Sequence, residues 1–253
     1  MRKRIAAGNW KMNLSFEESA NLIKLILANI QTKPLEKNKN VIIFTPSIYL
    51  ITSYLASKNY GLSVGAQNCS QFNNGAYTGE LSAKMLHDIC IDFCIIGHSE
   101  RRQYFGDTDE LINQKLNRCY ENKISPTLCC GEKIENRKAN EHFEVVENQL
   151  INGLKDISEK NFRNTVIAYE PVWAIGTGET ATPQQANEMH KHIRKIIGKL
   201  YNDEVANETT ILYGGSVNAK NCAELFAMPD IDGGLVGGAS LKADDFCKII
   251  ESL

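Results

Sequence analysis

The sequence predicts an α/β fold, a (β/α)8 barrel filling residues 1–253 as a single domain. Eight short apolar runs, rich in β-branched residues, recur at 4–10, 41–45, 62–67, 92–98, 126–131, 165–170, 210–215 and 233–238. They are apolar throughout rather than alternating, as parallel strands covered on both faces must be. Amphipathic stretches with marked helix starts lie between them, and eight strand–helix repeats in 253 residues match the arithmetic of a barrel. An open doubly wound sheet shares this rhythm and is the alternative. No linker, low-complexity segment or shift in composition suggests a second domain.

The first run, RIAAGNW, ends beside Lys11. Ser15 and Glu18 form a capping box opening a helix over ESANLIKLILANI. VIIFT and LSVGAQ supply the next two strands. Residues 68–81, NCSQFNNGAYTGEL, then make a long aperiodic connection where a few residues would suffice. It is either a solvated excursion or a loop ordered by a partner. Its Phe72, Tyr77 and Cys69 favour the second reading. DFCIIGH, PTLCCG and TVIAYE follow, the last ending on Glu170 and running into PVWAIGTGETATP. Thr182, Pro183 and Gln185 fit cap, first turn and box partner of a helix reaching about Leu200. TILYGG and GGLVGG complete the set.

Composition narrows the function classes. Apolar residues make up 43% and charged residues 23%, with a net charge of -2 and no basic block, so nucleic acid and acidic membrane surfaces are not expected partners. The N-terminal MRKRIAAGNWKMN is too briefly apolar for a signal peptide, and no window approaches the roughly 20 apolar residues of a membrane span. A cytoplasmic location is expected. The 8 cysteines, at 69, 90, 94, 119, 129, 130, 222 and 247, form no CxxC pair and have no histidine at zinc spacing. Buried free thiols are the expectation, and no metal site. His190 and His192 are two apart on a helix and do not share a face.

Active sites of such barrels lie at the C-terminal strand ends. Those ends carry Lys11, then His98 and Glu100, then Glu170, and finally Gly214, Gly215 and Ser216 with Gly237 and Gly238. Glycine lets backbone N–H groups approach an anion, and barrel phosphate sites favour the loops after strands seven and eight. One such pair would be read as tight-turn geometry; two after late strands favour a phosphate cradle. A lone histidine, lysine or glutamate would be structural, solvated or salt-bridged. Three on one rim supply an acid, a base and a cation.

NWKMN (9–13), GHSERR (97–102), AYEPVWAIGTG (168–178), YGGSV (213–217) and GGLVGGASL (233–241) resemble the signature segments of the triosephosphate isomerase family. The match runs in the family's order from residue 5 to near the C-terminus. The resemblance implies a TIM barrel interconverting dihydroxyacetone phosphate and D-glyceraldehyde 3-phosphate in glycolysis and gluconeogenesis. It also implies a homodimer with no cofactor and no metal. Residue by residue it implies Glu170 as base, His98 as electrophile and Lys11 with Asn9 binding substrate and developing oxyanion. Gly176, Ser216, Gly237 and Gly238 would hold the phosphate, and Glu100 would support, an ion pair with Lys11 or a nearby arginine being an equally good reading. Thr78 matches the interface residue that reaches toward a neighbouring subunit's site. Glu179 stands where the family commonly has lysine, at the far hinge of the lid, and Cys130 where it has an aliphatic residue.

The chemistry explains the carboxylate that ends an apolar strand. Aldose–ketose isomerisation removes a weakly acidic carbon-bound proton and returns it to the neighbouring carbon. A carboxylate in water is a feeble base, and an apolar lid closing over Glu170 would desolvate and strengthen it. Pro171 would stiffen one hinge and AIGTG would be the lid. The pairing of a carboxylate base with a neutral imidazole is this family's own established example, so that assignment rides on the resemblance. A pentose-phosphate epimerase would want paired carboxylates or metal-ligating histidines, which this chain lacks. A non-catalytic phosphometabolite sensor would have lost Glu170 or His98.

Overall fold

The computed structural model describes residues 2–175 and 180–253, so Gly176, Thr177, Gly178 and Glu179 lie outside the described residues. Strands β1 (Arg4–Asn9), β2 (Lys39–Thr45), β3 (Leu62–Ala66), β4 (Phe93–Ile96), β5 (Ser125–Cys130), β6 (Val166–Tyr169), β7 (Ile211–Tyr213) and β8 (Gly233–Val236) coincide with the eight apolar runs. They are parallel and close in sequence order, with β8 pairing back onto β1 through Ile5↔Gly233 to Gly8↔Val236. The doubly wound alternative is thereby excluded, because an open sheet would leave β1 and β8 as edges.

Apolarity on both strand faces has two destinations. Ile5, Ala7, Ile42, Phe44, Ile95, Cys129, Ala168, Leu212 and Leu235 fill the barrel interior. Their alternate neighbours, among them Ala6, Val41, Ile43, Cys94, Ile96 and Ile167, pack outward against the helices. Gly65 is dictated by the interior: a Cβ there would stand 2.4 Å from the Phe44 ring. The two capping boxes form as expected. Ser15 with Glu18 opens the helix Phe16–Thr32, and Thr182 with Gln185 opens Pro183–Leu200. The run 92–98 overreaches its strand because glycine turns the chain: Gly97 has φ 76°, ending β4 at Ile96.

His190, on the helix Pro183–Leu200, faces inward and is fully buried, with Nδ1 donating to the Asp230 carbonyl at 3.1 Å. Burial pushes this imidazole down from 6.5 to about 3. The folded chain therefore refuses a proton that the unfolded chain accepts below pH 6.5, and native stability falls as pH drops from 6.5 toward 3. Each pH unit in that window costs on the order of 1 kcal/mol. His190→Asn keeps a donor for Asp230 and should lose this part of the acid slope. Urea midpoints of both proteins near pH 7 and near pH 5, at one protein concentration, check it. An equal loss in both would remove His190 from the acid response.

Candidate active site

The C-terminal strand ends surround a cavity of ≈ 570 Å³ lined by Asn9, Lys11, His98, Glu170, Ser216, Gly237 and Gly238. Each belongs to a predicted strand end, so the closed barrel brings together residues as far apart in sequence as Asn9 and Gly238. A second cavity lies behind Glu170, between Ser99, Arg102 and Gln149. Only the first contains Lys11 and His98 beside Glu170.

Glu170 immediately follows β6 and is 2% exposed. Two glycines make its placement possible. A Cβ on Gly131 would fall 1.8 Å from the Glu170 carbonyl oxygen, and one on Gly214 would fall 2.9 Å from its Cγ. The Ser99 amide donates to Oε2 at 2.8 Å, and the Ser99 hydroxyl donates to Oε1 at 3.3 Å. Oε1 also stands 3.0 Å from His98 Nε2. A buried carboxylate is tolerable only with such donors.

His98 caps the short helix Ser99–Tyr104, and the Glu100 amide donates to its Nδ1 at 3.2 Å. A nitrogen that accepts carries no proton, so the ring is neutral and its proton sits on Nε2, the atom facing Glu170 and the cavity. The backbone at the helix start thus fixes which nitrogen donates.

Lys11 has φ 51°, a left-handed conformation uncommon for a side chain of its size. Its amide donates to Asn9 Oδ1 at 3.0 Å, and Gln67 Nε2 donates to its carbonyl at 2.9 Å. Asn9 and Gln67 hold this backbone in place. The Lys11 ammonium pairs with Glu100 Oε1.

The glycines after β7 and β8 differ in what they face. A Cβ on Gly215 would strike the Tyr213 hydroxyl oxygen at 2.3 Å and its ring at 2.5 Å, which is packing. Gly238 has nothing within 4 Å, and the Gly237 Cβ position meets only Lys11 Cε at 3.8 Å. Those two are bare toward the cavity and open the 3-10 turn Gly238–Leu241, whose first amides lack intrahelical acceptors. This is a surface an anionic group can approach closely.

The predicted residues Asn9, Lys11, His98, Glu100, Glu170, Ser216, Gly237 and Gly238 all line this cavity. Gly176 and the hinge residue Glu179 lie outside the described residues. Thr78 is on the exposed part of the 68–81 loop, and residues 72–80 are all exposed. Sequence reasoning missed Ser99, though GHSE names it, and Gln67. It also missed Glu132, whose Oε1 accepts from Tyr169 Oη at 3.0 Å, Trp173 Nε1 at 2.9 Å and Arg137 at 3.2 Å. Glu132 anchors the segment that follows Glu170. No local pattern marks it.

A family model described as triosephosphate isomerase matches residues 4–253. The triosephosphate isomerase of Flavobacterium psychrophilum is 45% identical over 253 residues, covering 100% of both chains. That of Porphyromonas gingivalis strain W83 is 48% identical over 252 residues, again covering 100% of each. That of Bacteroides fragilis strain YCH46 is 48% identical over 255 residues, covering 100% of this chain and 99% of its own.

Proposed function

The chain belongs to the triosephosphate isomerase family, and on that premise we propose which of its residues carry the reaction. It is an isomerase that interconverts dihydroxyacetone phosphate and D-glyceraldehyde 3-phosphate, a step of glycolysis. Glu170 takes the proton from the carbon next to the carbonyl and returns it to the adjacent carbon. His98 Nε2–H donates to the oxygen that becomes negative, and Lys11 with Asn9 holds that oxygen in a positive field. Ser216, Gly237 and Gly238, together with Gly176, receive the phosphate.

Glu170 begins each cycle hydrogen-bonded to Ser99 and must leave that amide to reach substrate. The phosphate supplies remote binding energy for this rearrangement, and closure of the segment after Pro171 strips water from the base. The observation that carries the reading is the 3.0 Å approach of a neutral imidazole Nε2 to the Glu170 carboxylate, above an unobstructed glycine surface. A coupled assay following dihydroxyacetone phosphate formed from glyceraldehyde 3-phosphate tests it. Turnover should be fast with the purified chain alone, and no turnover with a folded protein would overturn the assignment.

A cytoplasmic homodimer is part of the same proposal. No helix among the described residues is long and apolar enough to cross a membrane. The 68–81 loop is closed at its base by the Ser70 amide donating to the Leu81 carbonyl at 2.8 Å, and Phe72 stacks on Tyr77 at 3.8 Å. Both rings remain substantially exposed, at 39% and 41%, and Met12 is 96% exposed. Beside them a cavity of ≈ 550 Å³ reaches Asn9, Lys11, His98 and Glu100 from the side away from the glycines. A protruding loop carrying Thr78 and a receptive cavity next to the site fit a two-fold partner, each loop bracing the other copy's Asn9 and Lys11. Shortening residues 70–79 should give monomers with less than about a hundredth of the turnover, since misplacement by about 1 Å costs that much. Sedimentation showing an intact, active dimer would reduce the loop to a surface excursion.

A further inference from the structure

Three cysteines that are far apart in sequence meet in one place. Cys69 opens the 68–81 loop. Cys94 points outward from β4, on the face shared with Ile96 and opposite Ile95. Cys119 comes from the helix Asp109–Glu121, one turn after Lys115 on the same buried face. Their sulfurs all lie within 4.8 Å of one another, Cys69 and Cys119 being 3.6 Å apart, and none of the three side chains is more than 1% exposed. All are free thiols. One buried cysteine is ordinary packing. Three, delivered by a loop, a strand and a helix to one point, are a donor set.

We propose that Cys69, Cys94 and Cys119 form a buried trigonal site for a soft, closed-shell monovalent cation, Cu(I) in chemical class. Metal–sulfur bonds of about 2.3 Å in a trigonal plane need sulfurs about 4.0 Å apart, so this trio accepts an ion after shifts of tenths of an ångström. A disulfide between Cys69 and Cys119 would instead require closure from 3.6 Å to about 2.05 Å. Zinc is a poorer match because its structural sites hold four ligands. Among the described residues no fourth cysteine, histidine or carboxylate joins the three. Thiolates select soft ions over the hard cations that carboxylates hold. Each thiol that ligates gives its proton to solvent. Hydrogen bonds from Cys119 and Cys94, with a smaller contribution from the Lys115 ammonium, favour a thiolate at Cys69, while burial pushes the Cys94 thiol up. A bound ion would tie the start of the 68–81 loop to the barrel wall and to the helix behind it.

The test is an anaerobic titration of the reduced full-length protein with Cu(I), supplied from a chromogenic Cu(I) chelator and read after prolonged incubation. The intact protein should withdraw one equivalent from the chelator, and X-ray absorption should show three sulfurs around the copper. The Cys90→Ser/Cys247→Ser double variant, which removes the two cysteines not fully buried, should still hold that equivalent. Cys94→Ala and Cys119→Ala should each hold none, with unloaded isomerase activity reporting that they fold. Should either fail to fold, Cys69→Ser at the loop edge makes the same test. No copper withdrawn by the intact protein, an equivalent that survives Cys94→Ala, or a four-coordinate absorption spectrum would overturn the site.

Discussion

Lys11→Met should lose on the order of 10⁴ in kcat/KM while remaining folded, the largest effect expected of any single side chain here. The ammonium is the cation among the predicted catalytic side chains, and it is paired with Glu100 at the cavity wall. Its removal withdraws charge from the bound phosphate ester and again from the oxyanion that forms later, so both KM and kcat suffer. It also leaves the Glu100 carboxylate facing the cavity without its partner, adding repulsion toward an anionic substrate. The fold should persist, because the left-handed backbone at position 11 is held by Asn9 and Gln67 through main-chain atoms. Steady-state kinetics alongside circular dichroism check it. Near-wild-type kcat/KM would refute the electrostatic role.

Glu170→Asp should lose at least about 10² in kcat, with KM changed far less. Shortening by one methylene withdraws the carboxylate by about 1 Å from any position that the backbone at residue 170 can define, and proton abstraction is steep in that distance. The backbone itself should not move, since the Glu170 amide donates to the Cys130 carbonyl at 2.8 Å and Gly131 packs directly against it. The proposed phosphate surface at Gly237 and Gly238 is untouched, which is why binding should survive. A kcat within a few-fold of the parent would mean that the carboxylate is not the base.

Much of this site is legible in the sequence for a physical reason. Parallel strands buried on both faces read as apolar runs, and a polar or charged residue at the end of such a run has one destination, the rim. Lys11, His98 and Glu170 announce themselves in that way. Cap chemistry is equally local, so the Ser15–Glu18 and Thr182–Gln185 boxes are found where the pattern puts them. What escapes is set by closure of the barrel. Ser99 matters because β6 delivers Glu170 next to it, 71 residues on. Gln67 matters because its amide reaches the Lys11 carbonyl across 56 residues. The gathering of Cys69, Cys94 and Cys119 leaves no spacing signature at all. Their pairwise separations reflect loop and helix lengths, not ligand geometry.

The central claim is that Glu170 itself carries the proton between the two carbons. Incubating dihydroxyacetone phosphate with the intact enzyme and with Glu170→Asp in D2O, and following deuterium entry at the substrate carbon by NMR, tests it most directly. Exchange and isomerisation should fall together in the variant, by at least about 10². Deuterium entering the variant's substrate at the intact enzyme's rate would show that another group removes the proton.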